Sequence, residues 1–202
     1  MSLPEPLYDR IRQRYLEQNV PWDHALPPPE VLAYAAGHAP GRLLDLGCGY
    51  GRACLHLAGL GWRCDGVDFV PEAIQGARAR VEAAGLSDLV KLHQADVSEL
   101  GFLTGPYDLV LDVGCLHSQA ESVCDRYAAH VARLCRPGGV YLLFAHLGDE
   151  ASPDQRRWLT QATLDGLFVK DFVLERLELG TTTVADETWR SGWFWMRRHG
   201  AA

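Results

Sequence analysis

Asp45, Gly47, Gly49 and Gly51 alternate with other residues at the end of the apolar run Leu43-Leu44-Asp45-Leu46, and Cys48 lies within that alternation. A glycine-rich turn between a strand and a helix tolerates positive φ, and without Cβ atoms it lets a ligand approach the backbone. Two more carboxylates stand where strands should end. Asp68 closes Cys64-Asp65-Gly66-Val67-Asp68, and Asp96 follows Gln94-Ala95. A carboxylate in the first position can accept two hydrogen bonds from a ribose diol in a charge-assisted bidentate pair. It can equally cap the helix expected near Pro71, as Asp96 can cap the turn after it. His117 and His146 follow the two later apolar runs, Tyr107 to Val113 and Val140 to Ala145. Each is a candidate catalytic base or substrate contact, with a hydrogen-bonded structural histidine as the plainer alternative. The histidines contain no H-x-x-x-H pair and the cysteines no C-x-x-C pair, so no metal site is expected.

Positioning these residues requires alternating strands and helices. Strands are predicted over 42–46, 63–67, 90–93, 107–113 and 140–145. Helices are predicted over 31–37, 51–60, 71–84 and 121–135, with Pro71 opening one and Arg136-Pro137-Gly138-Gly139 stopping another. Such alternation implies an α/β fold with a doubly wound, mainly parallel sheet, covered by helices on both faces. The apolar run Val140-Tyr141-Leu142-Leu143-Phe144-Ala145 suits a central strand buried on both sides. Two more strands, 172–179 and 192–198, have no helix between them, so a seven-stranded sheet should end in a C-terminal antiparallel hairpin. Trp193 and Trp195, two apart, share a strand face and are read as core packing. A helix over 6–17 and the strap Pro21-Trp22-Asp23-His24-Ala25-Leu26-Pro27-Pro28-Pro29 precede this pattern. Three consecutive prolines cannot continue a helix. Residues 1–30 are therefore expected to cover a site built by a domain of residues 31–202.

The 202-residue chain has a formal net charge of −7, which disfavours a polyanionic partner such as nucleic acid. The six scattered cysteines fit a reduced, cytoplasmic protein. No stretch resembles a secretory signal or a membrane span, so no membrane partner is expected.

The glycine spacing separates two ligand classes. A dinucleotide fingerprint needs glycine at position 52, which is Arg52. D-x-G-x-G-x-G after a strand resembles instead the first motif of class I S-adenosylmethionine-dependent methyltransferases. Tyr107-Asp108-Leu109-Val110-Leu111-Asp112 resembles their fourth-strand motif, and Leu134-Cys135-Arg136-Pro137-Gly138-Gly139 the turn before the fifth strand. Pro21-Trp22-Asp23, Gly114-Cys115-Leu116-His117-Ser118 and Ser191-Gly192-Trp193-Phe194-Trp195 are similar to segments of the thiopurine-methyltransferase-like small-molecule group. The strap departs from that group, reading Asp23-His24-Ala25-Leu26-Pro27 where relatives often carry a glycine and an arginine.

The resemblance implies S-adenosyl-L-methionine as cofactor. Amides around Gly47, Cys48, Gly49 and Gly51 would hold its methionine and ribose portions, with Asp45 opening the cofactor-binding motif and Asp68 on the ribose. Phe69 would cover the adenine, Asp96 and Val97 would contact its edge, Asp112 would lie near the amino group, and Trp22 would close over it. The acceptor would be a small molecule with an S, N or O nucleophile, entering between the strap and the segments starting at Gly114 and Ala145. A monomer or homodimer is expected. The alternative function is that of a non-catalytic cofactor-binding regulator or scaffold.

Overall fold

The computed structural model describes residues 7–148, 159–184 and 187–200. Its strands form one seven-stranded sheet in the order β3-β2-β1-β4-β5-β7-β6. The chain groups into two compact units, residues 1–97 and 98–202.

The first unit contains α1 (Leu7–Leu16), α2 (Pro29–Gly37), β1 (Arg42–Leu46), α3 (Arg52–Gly59), β2 (Arg63–Asp68), α4 (Pro71–Ala83) and β3 (Val90–Gln94). Leu43, Leu44, Asp45 and Leu46 are buried in succession. An unbroken buried run of this kind is what a parallel strand covered on both faces requires. β1 pairs with β2 and β2 with β3, both in parallel, with Leu46 opposite Val67 and Asp68 opposite Gln94. The carboxyl ends of these strands therefore share one edge. α4 opens on Pro71 and buries Ala73, Ile74, Ala77 and Val81, a spacing that makes one apolar stripe.

The second unit contains β4 (Tyr107–Val113), α5 (Glu121–Leu134), β5 (Cys135–Leu147), α6 (Gln161–Phe168), β6 (Phe172–Val184) and β7 (Glu187–Arg198). β4 and β5 are parallel, and β7 is antiparallel to both β5 and β6. The expected hairpin is present, and its second strand is inserted beside β5, leaving β6 outermost. β6 carries Glu175, Arg176 and Glu178 and a bulge between Leu174 and Arg176, devices that discourage further strand pairing.

Three features differ from the sequence expectation. β5 begins at Cys135, because the chain loops out between the partners of Tyr107 and Leu109 and accommodates Pro137 in that irregularity. α6 was not expected; the Thr160 hydroxyl caps it by accepting from the Thr163 N–H at 3.1 Å. β6 and β7 extend to Val184 and back to Glu187 because threonines favour strand continuation at those ends. The first helix starts at Leu7, and its expected start at Pro6 lies outside the described residues. Among the described residues no helix is long and apolar enough to cross a membrane, and no cluster of His, Cys, Asp or Glu could hold a metal ion.

Candidate functional site

In the first unit the turn after β1 is held by its own amides. Gly47, Gly49 and Gly51 have φ of 72, 56 and 77°. The N–H groups of Gly47 and Cys48 both donate to the Val67 carbonyl, at 2.9 and 3.0 Å, and that of Gly51 donates to Cys48 O at 2.9 Å. The Gly49 N–H donates to Asp68 Oδ2 at 2.9 Å, and Asp68 Oδ1 accepts from Val70 N–H at 2.9 Å. The amides expected to face a ligand are thus engaged within the protein. The Cys48 carbonyl is engaged by the Gly51 N–H, and the missing Cβ of Gly49 admits the Tyr15 hydroxyl. Asp68 is buried, and burial pushes its carboxyl above the usual range against the opposing effect of these donors. Asp45 is buried under the turn with the Cys54 thiol 3.7 Å from its Oδ2. Arg52, at the position where a dinucleotide fingerprint needs glycine, reaches the strap carbonyl of Leu26 at 3.4 Å.

An aromatic cluster closes over this turn. A Cβ at Gly49 would lie 3.0 Å from the Tyr15 hydroxyl. That hydroxyl accepts from Trp22 Nε1–H at 3.2 Å, and Tyr15 meets Trp22 and Tyr50 edge-on at 6.2 and 5.1 Å. Burial and the neighbouring Asp68 push the Tyr15 phenol well up. The strap is pinned to α4 by the Asp23–Arg80 fork, at 2.9 and 2.7 Å, and the Arg80 guanidinium lies 4.4 Å from the Tyr50 ring centre. Phe69 is half-buried with Tyr8 edge-on at 5.4 Å. Beyond β3, Asp96 is exposed and Val97 buried. Gly49→Ala should therefore cost about 1–2 kcal/mol of stability for its left-handed backbone, before the Tyr15 contact is counted. Urea unfolding checks the value, and a neutral result would remove the close-approach argument.

In the second unit Asp112 is fully buried. It accepts from the amides of Cys115 and Leu116, at 2.7 and 2.9 Å, and from the Tyr127 hydroxyl at 2.5 Å; Tyr141 Oη lies 3.0 Å further on. The structure places Asp112 as the organiser of the 114–118 turn. That turn presents His117, half-buried, whose Nδ1 accepts the His146 backbone N–H at 3.2 Å. The two imidazoles stack at 4.5 Å, and His146 stacks on Trp189 at 5.5 Å with Phe144 edge-on at 5.6 Å. Burial, aided by His146, pushes the His117 pKa down to about 3. Trp193 is buried and packs on Phe144 at 5.2 Å.

Sequence reasoning did not single out Tyr15, Tyr50, Arg80, Tyr127 or Trp189. For Tyr15 a signal existed, since it is the residue that the polar helix α1 buries. The Asp112–Tyr127 pair joins β4 to a helix fifteen residues later and leaves no mark in local spacing.

The methyltransferase-domain family matches residues 43–139. The chain is 32% identical over 149 residues to a 2-heptyl-1-hydroxyquinolin-4(1H)-one methyltransferase of Mycobacteroides abscessus, covering 70% of this chain and 65% of that one. It is 31% identical to an uncharacterized methyltransferase of Schizosaccharomyces pombe, covering 58% of this chain and 79% of that one. The chain spans only 40 and 43% of the length of two plant relatives, from Rauvolfia serpentina. A structure solved for the conversion of a disulfide bond into a thioacetal group during echinomycin biosynthesis superposes with a TM-score of 0.78 at 26% identity, covering 97% of this chain and 94% of that one. With the turn of alternating glycines, the strand-end carboxylate and this sheet order, the chain belongs to the class I S-adenosylmethionine-dependent methyltransferase family.

Proposed function

We propose that the chain binds S-adenosyl-L-methionine and transfers its methyl group to a small-molecule acceptor. The carrying observation is the cradle at Gly49, where a Cβ would meet Tyr15 and where Asp68 anchors the turn. The carboxylates of Asp45 and Asp68 beside the turn suit a cofactor that carries a cationic ammonium and sulfonium. In this reading Gly47, Cys48, Gly49 and Gly51 line the cofactor, with Asp45 adding negative charge below. The remaining lone pairs of Asp68 accept from the ribose hydroxyls. Phe69, Asp96 and Val97 receive the adenine, and Trp22, steadied by Tyr15, closes over it.

When bound, the cofactor supplies a methyl group already activated on a sulfonium. The protein's own task is then to orient the acceptor and exclude water. The proline-stiffened strap, held by Asp23 on Arg80, serves the second purpose. The Pro21-Trp22-Asp23 and Gly114-to-Ser118 segments support a place near the thiopurine-methyltransferase-like small-molecule group. The hydroxyquinolinone in the name of the mycobacterial relative supports a heteroaromatic acceptor.

Calorimetry should show the cofactor or its demethylated product binding with a dissociation constant near the micromolar level, about −8 kcal/mol. A nicotinamide dinucleotide should give no heat. Absence of heat with both methyl-donor forms would overturn the proposal, and a radiolabelled methyl-transfer screen with small heteroaromatics tests the catalytic half.

A further inference from the structure

The methionine portion of the proposed cofactor ends in a carboxylate that needs donors, and the amides expected to supply them are taken. The N–H groups of Gly47, Cys48, Gly49 and Gly51 are engaged within the protein, while Asp45 and Asp68 bring negative charge to the turn. A cation follows directly in the chain. Arg52, after Gly51 and first in α3, is half-buried, and Gly47 at the opening of the turn is exposed. The Arg52 Nη1–H donates to the strap carbonyl of Leu26 at 3.4 Å, and among the described residues no carboxylate pairs with it. A guanidinium presents five N–H donors in a planar fork, so most of this one's remain for a ligand. Burial pushes the Arg52 pKa below its ordinary value, against the pull of Asp45 and Asp23, and a guanidinium so high in its range stays charged. The neighbouring cations are engaged. Arg80 forks onto Asp23 at 2.9 and 2.7 Å, Arg12 reaches Glu72 at 2.7 Å, and Arg78 donates to the Leu92 carbonyl at 3.0 Å. Arg42 and Arg63 open β1 and β2, at the strand ends away from the turn.

From this arrangement we infer that Arg52 receives the carboxylate of the cofactor's methionine portion, as the cationic half of an amino-acid cradle whose anionic half is Asp45. The inference rests on the cofactor-binding reading and adds to it the side chain that recognises the amino-acid end. An α-amino acid carries an ammonium and a carboxylate side by side. Asp45 and Arg52, placed before and after the glycine turn, offer the opposite charge to each. A guanidinium fork matches a carboxylate in a charge-assisted pair that a point charge reproduces only in part. The Leu26 carbonyl holds one donor of that fork, so the strap steadies the arginine without itself touching the ligand. Position 52 thereby has two effects. Its arginine displaces the glycine that a dinucleotide fingerprint needs, and it selects an adenosyl ligand that bears an amino acid.

The test is calorimetry with two ligands, S-adenosylmethionine and its decarboxylated form, which keeps the adenosine, sulfonium and ammonium and lacks only the carboxylate. The wild type should bind the complete cofactor at least about tenfold more tightly than the decarboxylated one. Arg52→Gln should weaken the complete cofactor by at least about tenfold and leave the decarboxylated form nearly unchanged, so that the preference disappears. Arg52→Lys keeps the charge without the fork and should retain part of the preference. A purely structural role for Arg52 would lower both affinities together and leave their ratio intact. That result overturns the inference, as does a wild type that binds the two ligands equally. In either case the cofactor reading stands, because the ligands still bind. Absence of heat with both ligands in the wild type overturns the cofactor reading and the role of Arg52 with it.

Discussion

Asp68→Ala should lower folding stability by about 2–5 kcal/mol, because it leaves two buried amides, those of Gly49 and Val70, without an acceptor. From the sequence, replacing a ribose-binding carboxylate at this position would weaken the cofactor more than it destabilises the fold. The structure changes the balance: the carboxylate proposed to meet the ribose also ties the glycine turn to the end of β2. Cofactor affinity should fall as well, by at least about tenfold, since a charge-assisted acceptor contributes about 1.5–3 kcal/mol and its loss also releases Gly49. Asp68→Asn should be intermediate, because its amide oxygen can still accept one N–H while its NH2 opposes the other. Urea unfolding followed by calorimetry on the folded variant separates the two effects. Unchanged stability would show that the two amides find other partners. Unchanged affinity in the surviving fold would remove Asp68 from the proposed cofactor contacts.

The elements legible in the sequence were those whose signals are local. The unbroken apolar run at 140–145 reads as a central strand, Pro71 marks a helix start, and the alternating glycines mark the turn; each sits where expected. The order of the last two strands was not legible, because nothing local distinguishes a hairpin appended at the edge from one whose second strand inserts beside β5. The site shows the same division. Residue types at 45, 47, 49, 51 and 68 pointed to the turn, but the direction of its amides did not follow from them. Whether a glycine N–H faces a ligand or Asp68 depends on φ values that glycine leaves open. For His117 the residue type suggested a base, whereas its tautomer depends on a backbone donor twenty-nine residues away.

Tyr127→Phe should destabilise the fold by about 1–3 kcal/mol at pH 8 and by clearly less at pH 5. Burial pushes the Asp112 carboxyl up to about 6 from an ordinary 3.8, while the Tyr127 hydroxyl and the amides of Cys115 and Leu116 hold it down. Between those two values the native state binds a proton that the unfolded chain has released. Stability therefore falls as pH rises through that window, and the penalty is complete above the folded pKa. Removing the Tyr127 hydroxyl takes away a donor to the charged form and moves the folded pKa further up. The extra penalty thus develops where Asp112 is ionised in the wild type, at pH 8, and is small at pH 5 where its carboxyl already holds a proton. A pH-independent part remains, because Tyr141 loses the hydroxyl 3.0 Å away. Adding Tyr141→Phe should recover some of that part, since no orphaned hydroxyl is then left beside the phenyl ring. Urea unfolding at the two pH values reads the difference directly. Equal losses at both would show that Asp112 is protonated, or ionised, throughout, and that the turn carrying His117 is not held by a carboxylate poised in this way.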